Sequence, residues 1–282
     1  VTGSMHSMFL VVLLGCGLGV VDASALTYTQ INVPGSLGTQ AIGINNAGQI
    51  VGSYIAGSQT HGFLLSNGHY TTIDFPRASS TTTSGINDAG DIVGFYTDSS
   101  GVTHGFLDQA GTFSAIDFPG ALDTVAYGIN QAGQIVGYYF DQQGAIHGFE
   151  LSGGTYTTLD VPNASQTQPY GINVAADISG SFTDASGQHG FLLHNGSYQK
   201  FNVPGTTATS GVGLNDKDHV VGNYLDPRLQ KLEGFATNLV KFMKVMDPNS
   251  TMTFPTGINN TDVIVGTFFD SSGTESGFMA RP

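Results

Sequence analysis

The chain has 282 residues, with 8 Lys plus Arg against 21 Asp plus Glu and a net charge of −13. A surface of that sign repels nucleic acid and anionic lipid, so neither is expected as a partner. Charged residues make up only 10% of the chain, Gly contributes 40 residues and 40% of positions are apolar, which argues against disorder and against a cytosolic helical enzyme. Taken from the start, Met8 to Val21 is apolar and is followed by Ala23-Ser24-Ala25. Small residues in that spacing after an apolar run predict a secretory signal over residues 1–25, cleaved after Ala25, and a secreted or periplasmic product. The stretch Val1 to Ser7 departs from the pattern in having no Lys or Arg. Leu13-Leu14-Gly15-Cys16 also fits a lipoprotein box that would anchor the chain through Cys16, and a buried N-terminal strand is a third reading. The run is too short for a membrane span. Cys16 is the only cysteine, so residues 26–282 hold no disulfide, no Cys-based zinc site and no thiol nucleophile.

The remainder is one repeat. Gly128-Ile129-Asn130-Gln131-Ala132-Gly133-Gln134-Ile135-Val136-Gly137-Tyr138-Tyr139 recurs from Gly43, Gly85, Gly171, Gly213 and Gly257, at intervals of 42, 43, 43, 42 and 44 residues. Each unit carries four strand signals. The first ends in Gly-x-Asn and turns through Asn-x-x-Gly, with Asn giving an Asx turn and Gly the positive φ. The second is of the type Ile-Val-Gly-x-Tyr, as at Ile50 to Tyr54. After an Asp-x-x-Gly loop the third opens His-Gly-Phe at His61, His104, His147 and His189. The fourth is aromatic and β-branched and runs to a proline, as in Tyr70 to Pro76, which suits a sheet edge. The chain begins with a lone fourth strand, Tyr28 to Pro34, and finishes with a third, Ser276 to Ala280. A ring gains from this offset because the first strand completes the last unit; a β-solenoid gains nothing and has a shorter period. The expected fold is therefore all-β: a single six-bladed β-propeller over 26–282, about 43 residues per blade, with three-plus-one closure.

Gly-Ile-Asn-x-x-Gly-x-Ile-Val-Gly-x-Tyr and His-Gly-Phe-Leu resemble the extracellular HAF-type repeats, with Gly here where the family name has Ala. The resemblance covers residues 27–282. It implies a secreted bacterial propeller and no particular activity.

His61, His104, His147 and His189 occupy equivalent positions, with Glu233 and Ser276 in the other two blades, and a ring of histidines suggests a metal such as zinc. Strand order argues against it. The third strand lies ~10 Å outside the innermost one, so neighbours on the ring stand far beyond the ~2.0–2.1 Å of a metal–nitrogen bond. A His bonded within its own blade, for instance to Asp98, Asp141 or Asp184 across the hairpin loop, is the better expectation. The six Asn of Gly-x-Asn (Asn45, Asn87, Asn130, Asn173, Asn215, Asn259) are expected as turn caps. Thr39, Thr81, Thr124, Thr167, Thr209 and Thr253, each five residues after a blade-ending proline, are expected as scaffold. Asp98-Ser99-Ser100-Gly101 and Asp270-Ser271-Ser272-Gly273 offer one carboxylate each and read as turns, since calcium needs several oxygens. His69 and His194 fall near hairpin turns and are expected to be solvated.

If the repeated positions are scaffold, a ligand is read by residues that break the repeat. By fold analogy the loops from fourth to first and from second to third strands make the functional face. The irregular residues there are Arg77, Tyr127, Tyr170, Arg228, Lys231 and Phe254 as ligand contacts and Asp123 and Glu233 as catalytic carboxylates. The loop Asp226 to Glu233 is one residue longer than its counterparts. Three functions fit: a monomeric propeller binding an extracellular glycan or small molecule; a hydrolase of esters, lactones or phosphoesters using a divalent ion, calcium or zinc, near the axis; or a cell-surface assembly module.

Overall fold

The computed structural model describes residues 26–282, together with the backbone of Val21–Asp22, and every regular element among them is a β-strand. The expected leader, with its Cys16 box, otherwise lies outside the described residues. The first blade runs from its innermost strand Gly38–Ile44 through Ile50–Ala56 and Gln59–Ser66 to the outer His69–Ile73. The second to fourth blades repeat that order from innermost strands Ser80–Ile86, Asp123–Ile129 and Gln166–Ile172. The fifth opens with Thr209–Leu214 and ends at Phe242–Val245, outside which Val21–Asp22 pairs in parallel. In the sixth, Met252–Ile258, Ile264–Phe269 and Glu275–Arg281 are completed by Thr27–Ile31, antiparallel to Glu275–Arg281 with Tyr28 opposite Ala280. The protein is thus a six-bladed propeller closed by its N-terminal strand.

The closing strand matches the five it imitates. In every blade the Phe of the third strand is buried and meets an aromatic ring of the fourth: Phe63–Tyr70 at 5.7 Å, Phe106–Phe113 at 5.8 Å, Phe149–Tyr156 at 5.9 Å, Phe191–Tyr198 at 5.4 Å and Phe235–Phe242 at 5.6 Å. Tyr28–Phe278 supplies the sixth, at 5.7 Å. The six threonines are scaffold as expected. Each is buried, and its Oγ1 accepts a backbone N–H six residues back, from Val33, Phe75, Phe118, Val161, Val203 and Asp247, at 3.0–3.1 Å.

The six asparagines do more than cap turns. Asn130 Oδ1 accepts from Ala132 and Gln134 N–H within its own turn, while its Nδ2 donates to the Asn173 carbonyl of the next blade at 3.1 Å. The same interblade bond runs from Asn45 to Asn87, Asn87 to Asn130, Asn173 to Asn215, Asn215 to Asn259 and Asn259 back to Asn45, so the circle is complete. A Cβ on Gly43 would lie 2.7 Å from the Ser84 carbonyl; the glycine of each Gly-x-Asn lets adjacent inner strands approach that closely. A second circle lies beside the first. Asn46, Asp88, Val174, Asp216 and Asn260 N–H groups donate to Asp88, Gln131, Asp216, Asn260 and Asn46 side chains. Val174, 60% exposed, offers no acceptor to Gln131 and breaks the circle. Val174→Asn is expected to close it and raise stability by about 0.5–1.5 kcal/mol, the net worth of one hydrogen bond; a urea midpoint at or below that of the parent protein would contradict this.

Candidate functional site

Each innermost strand carries a β-bulge at the residue before that glycine: Ile42, Ser84, Tyr127, Tyr170, Val212 and Thr256 are skipped in the pairing. A bulge re-aims its side chain, and here it lines the axis with these six. Along the axis lie a narrow middle of 110 Å³ with isoleucines and glycines, an Asn-lined end of 160 Å³ and, at the opposite end, a mouth of 360 Å³.

The lining of the mouth is part aromatic and part polar. The third and fourth blades contribute tyrosines and the sixth contributes phenylalanines. Tyr127 and Tyr170 meet edge to face with centroids 4.8 Å apart, Tyr138 packs behind Tyr170 at 6.2 Å, and Phe254 meets Phe269 at 5.9 Å. Burial, and secondarily the neighbouring Tyr138 phenol, pushes the Tyr127 and Tyr170 hydroxyls well above the usual tyrosine range, so they remain neutral donors at any ordinary pH. The polar groups come from the first, fifth and sixth blades: Gln40, Ser210, Asn223, Thr256, Thr267 and Glu275. Gln40 Nε2 donates to Glu275 Oε1 at 2.7 Å, bridging the first and sixth blades. Asn223 Oδ1 is a buried acceptor without a protein donor. No Lys or Arg lines the mouth.

Of the eight irregular residues, the structure therefore brings Tyr127, Tyr170 and Phe254 together and leaves five elsewhere. Asp123 Oδ1 accepts the Thr103 N–H at 2.7 Å and ties the second blade to the third. Arg77 is exposed with φ 68°, in the turn after a blade-ending proline where other blades hold Gly35, Gly120, Asn163 or Gly205. Lys231 Nζ donates to the Thr251 carbonyl at 3.3 Å. Arg228, its side chain 87% exposed, donates to Asp226 at 3.2 Å. Glu233 is 3% exposed and accepts from Tyr224 Oη at 2.7 Å and Lys244 Nζ at 2.9 Å, beside a 650 Å³ cleft between the fourth and fifth blades. The expected placement of Asp123 and Glu233 near the axis is corrected on this point: both carboxylates are engaged among the outer strands and interblade seams. Sequence reasoning missed Gln40, Asn223 and Glu275. Gln40 carried a usable signal, since it lies two residues before the bulge and faces the same mouth.

The repeated histidines are tied within their own blades. Nδ1 of His61, His104 and His147 bonds Asp74, Asp117 and Asp160, and that of His189 bonds Asn202, all at 2.7–2.8 Å. Nε2 of His104, His147 and His189 faces Asp98, Asp141 and Asp184 at 3.6, 3.4 and 3.1 Å. The imidazoles stack on Tyr54, Tyr96 and Tyr139, and that of His189 tilts on Phe182. Three of the four engage both ring nitrogens within their own blade and His61 engages Nδ1, and the four do not converge on one ion; among the described residues the three-ligand cluster is Asp177, His194 and Asp218. His194 is paired to Asp177 at 2.8 Å although its side chain is 52% exposed, so the expectation of a merely solvated side chain is also corrected. Glu150, which replaces an apolar residue, accepts from Gln134 Nε2 at 2.8 Å.

These pairs set a pH dependence. Against the lowering effect of partial burial, Asp117 and then Asp98 hold His104 above the usual imidazole value; Asp160 does the same for His147. Their stabilisation is fully present below the unfolded value of ~6.5 and is lost as pH rises through the higher folded values. Ser100 and the Val102 N–H hold Asp98 down to about 2, and backbone donors led by the Ala145 N–H lower Asp141. Their contribution is present above ~4 and lost as pH falls through the folded values. The melting temperature is expected to be highest between about pH 4 and 6.5, and His104→Gln with His147→Gln should flatten the alkaline limb. Identical alkaline limbs in parent and double variant would refute this origin.

No family model and no curated protein matches the sequence. Solved structures with the same fold do match. The fucose-specific lectin of Aleuria aurantia, in complex with Fucα1-6GlcNAc, is 11% identical over 86% of this chain and 91% of its own, with a TM-score of 0.53. TolB of Acinetobacter baumannii is 10% identical over 88% of this chain and 65% of its own, TM-score 0.57. Trypanosoma rangeli sialidase is 10% identical over 89% and 55%, TM-score 0.52. At these identities the likeness is one of fold.

Proposed function

We propose that the protein binds a neutral carbohydrate in the axial mouth. The observation that carries this reading is that one 360 Å³ cavity combines aromatic rings, Tyr127, Tyr170 and Phe254, with amides and hydroxyls. A sugar ring has the same mixed character: C–H faces that pack on aromatic rings and hydroxyls that need partners. The volume lies within the ~300–1,000 Å³ of small-molecule sites.

Charge selects within the class. Glu275 is the one ionisable carboxylate of the lining, and no cation balances it, so anionic sugars and phosphates are disfavoured. Binding is favoured over hydrolysis by the same count, since glycoside cleavage uses two carboxylates flanking the bond. A panel of immobilised neutral and acidic glycans tests the reading. Retention of a neutral subset, with affinity measured by calorimetry, is the expected result. A protein that retains none of the neutral panel, or retains acidic glycans preferentially, contradicts it.

A further inference from the structure

The turns at the Asn-lined end of the axis differ in one telling way. The position held by Gly48, Gly90 and Gly133 in the first three blades is Ala176, Asp218 and Asp262 in the others, all with positive φ. At the junction of the fifth and sixth blades, Asp262 is met by Asn215 Nδ2 at 3.0 Å, His219 Nδ1 at 2.8 Å and Lys217 Nζ at 3.0 Å. There one carboxylate faces a built-in cation.

The junction of the fourth and fifth blades keeps the pose and changes the chemistry. Asp218 accepts the equivalent bond from Asn173 Nδ2 at 3.0 Å. Ala175 stands where the next junction has Lys217, and Asp177 stands where it has His219. The ammonium is gone and a second carboxylate has entered. His194, from the end of strand Gly187–His194, approaches so that Nδ1 is 2.8 Å from Asp177 Oδ1. One ligand atom each from Asp177, His194 and Asp218 lies within 4.8 Å of the other two. Asp177 is 4% exposed and forms a buried floor, while His194 is open to solvent. Two carboxylates thus face each other where the next junction sets one carboxylate against Lys217.

We infer that Asp177, His194 and Asp218 form a zinc site at this junction, in which the metal takes the electrostatic place that Lys217 fills one blade further on. Two carboxylates and an imidazole suit a borderline first-row ion, whereas calcium takes six to eight oxygens. Water completes the shell, and His194 ligates through Nδ1 as the neutral tautomer that carries its proton on Nε2. The site uses no residue of the axial mouth and does not depend on sugar binding there.

The test uses the full chain after chelator treatment, titrated with zinc chloride by calorimetry and followed by melting temperature. The parent protein is expected to bind one zinc per chain and to melt higher with it. Asp218→Gly installs the residue that three blades already carry at a positive φ, so it should fold without strain yet bind zinc roughly 10-fold or more weakly. His194→Gln should lose affinity likewise, and Asp262→Gly should keep it. The inference is overturned if the parent takes up no stoichiometric zinc, if calcium binds in preference, if Asp218→Gly binds as the parent does, or if Asp262→Gly loses affinity equally.

Discussion

Gly52→Ala is expected to leave no stable folded protein. A Cβ there would sit 1.9 Å from the Gln40 carbonyl oxygen and 2.9 Å from its carbon, inside any van der Waals limit. The equivalent Gly94, Gly137 and Gly222 stand 2.0, 2.0 and 1.9 Å from the carbonyls of Thr82, Val125 and Ser210. The obstacle is backbone, and that backbone belongs to the innermost strand. Gly43 and Gly257 already hold the inner strand of the first blade against both neighbours, so it cannot retreat without opening the ring. The loss should exceed ~4–5 kcal/mol, a large part of the ~5–15 kcal/mol that holds an ordinary domain together. Gly48→Ala is the control. That position has φ 78° and nothing within 4 Å, so alanine there costs about 1–2 kcal/mol of conformational strain. Urea unfolding of the two variants decides the matter; Gly52→Ala unfolding at a midpoint equal to that of Gly48→Ala would mean that the second strand does not lie against the first as described.

Tyr170→Ala is expected to weaken sugar binding roughly 30-fold or more, the effect of removing a central aromatic anchor worth ~2 kcal/mol. Tyr170 is held in the mouth by two rings, Tyr127 at 4.8 Å and Tyr138 at 6.2 Å. Tyr170→Phe keeps the ring and should retain most of the affinity. Glu275→Gln should leave neutral sugars bound and relax the rejection of acidic ones. Calorimetry on the three variants separates packing from charge. Equal affinities for the parent protein and Tyr170→Ala would remove the aromatic rings from the recognition surface.

The phase offset between Tyr28 and Ser276 made closure legible, because strand order follows from counting and from the alternation of apolar residues. Thr39 and its five equivalents were legible for a similar reason: they recur at a fixed distance from a proline, and the bond each makes is local. What recurrence does not reveal is which break in the pattern opens onto a cavity. Glu233 stood out as a rare charge, yet its partner Lys244 becomes visible only once strand pairing places it alongside. Asp74, Asp117 and Asp160 each follow their histidine by 13 residues, a spacing open to counting but overshadowed by the nearer loop aspartates. The axial mouth depends on a bulge that skips one residue of pairing. That residue keeps its place in the repeat whatever its identity, so Tyr127 and Tyr170 stood among the irregular residues with nothing to set them apart from Arg77 or Lys231.

A crystal structure of the complex with the tightest-binding neutral sugar tests the central claim most directly. The account predicts the sugar ring in the axial mouth, one face against Tyr170 and its hydroxyls directed to Gln40, Asn223 and Glu275. A sugar seated instead in the cleft beside Glu233 and Arg228, with the axial mouth holding only water, would contradict it.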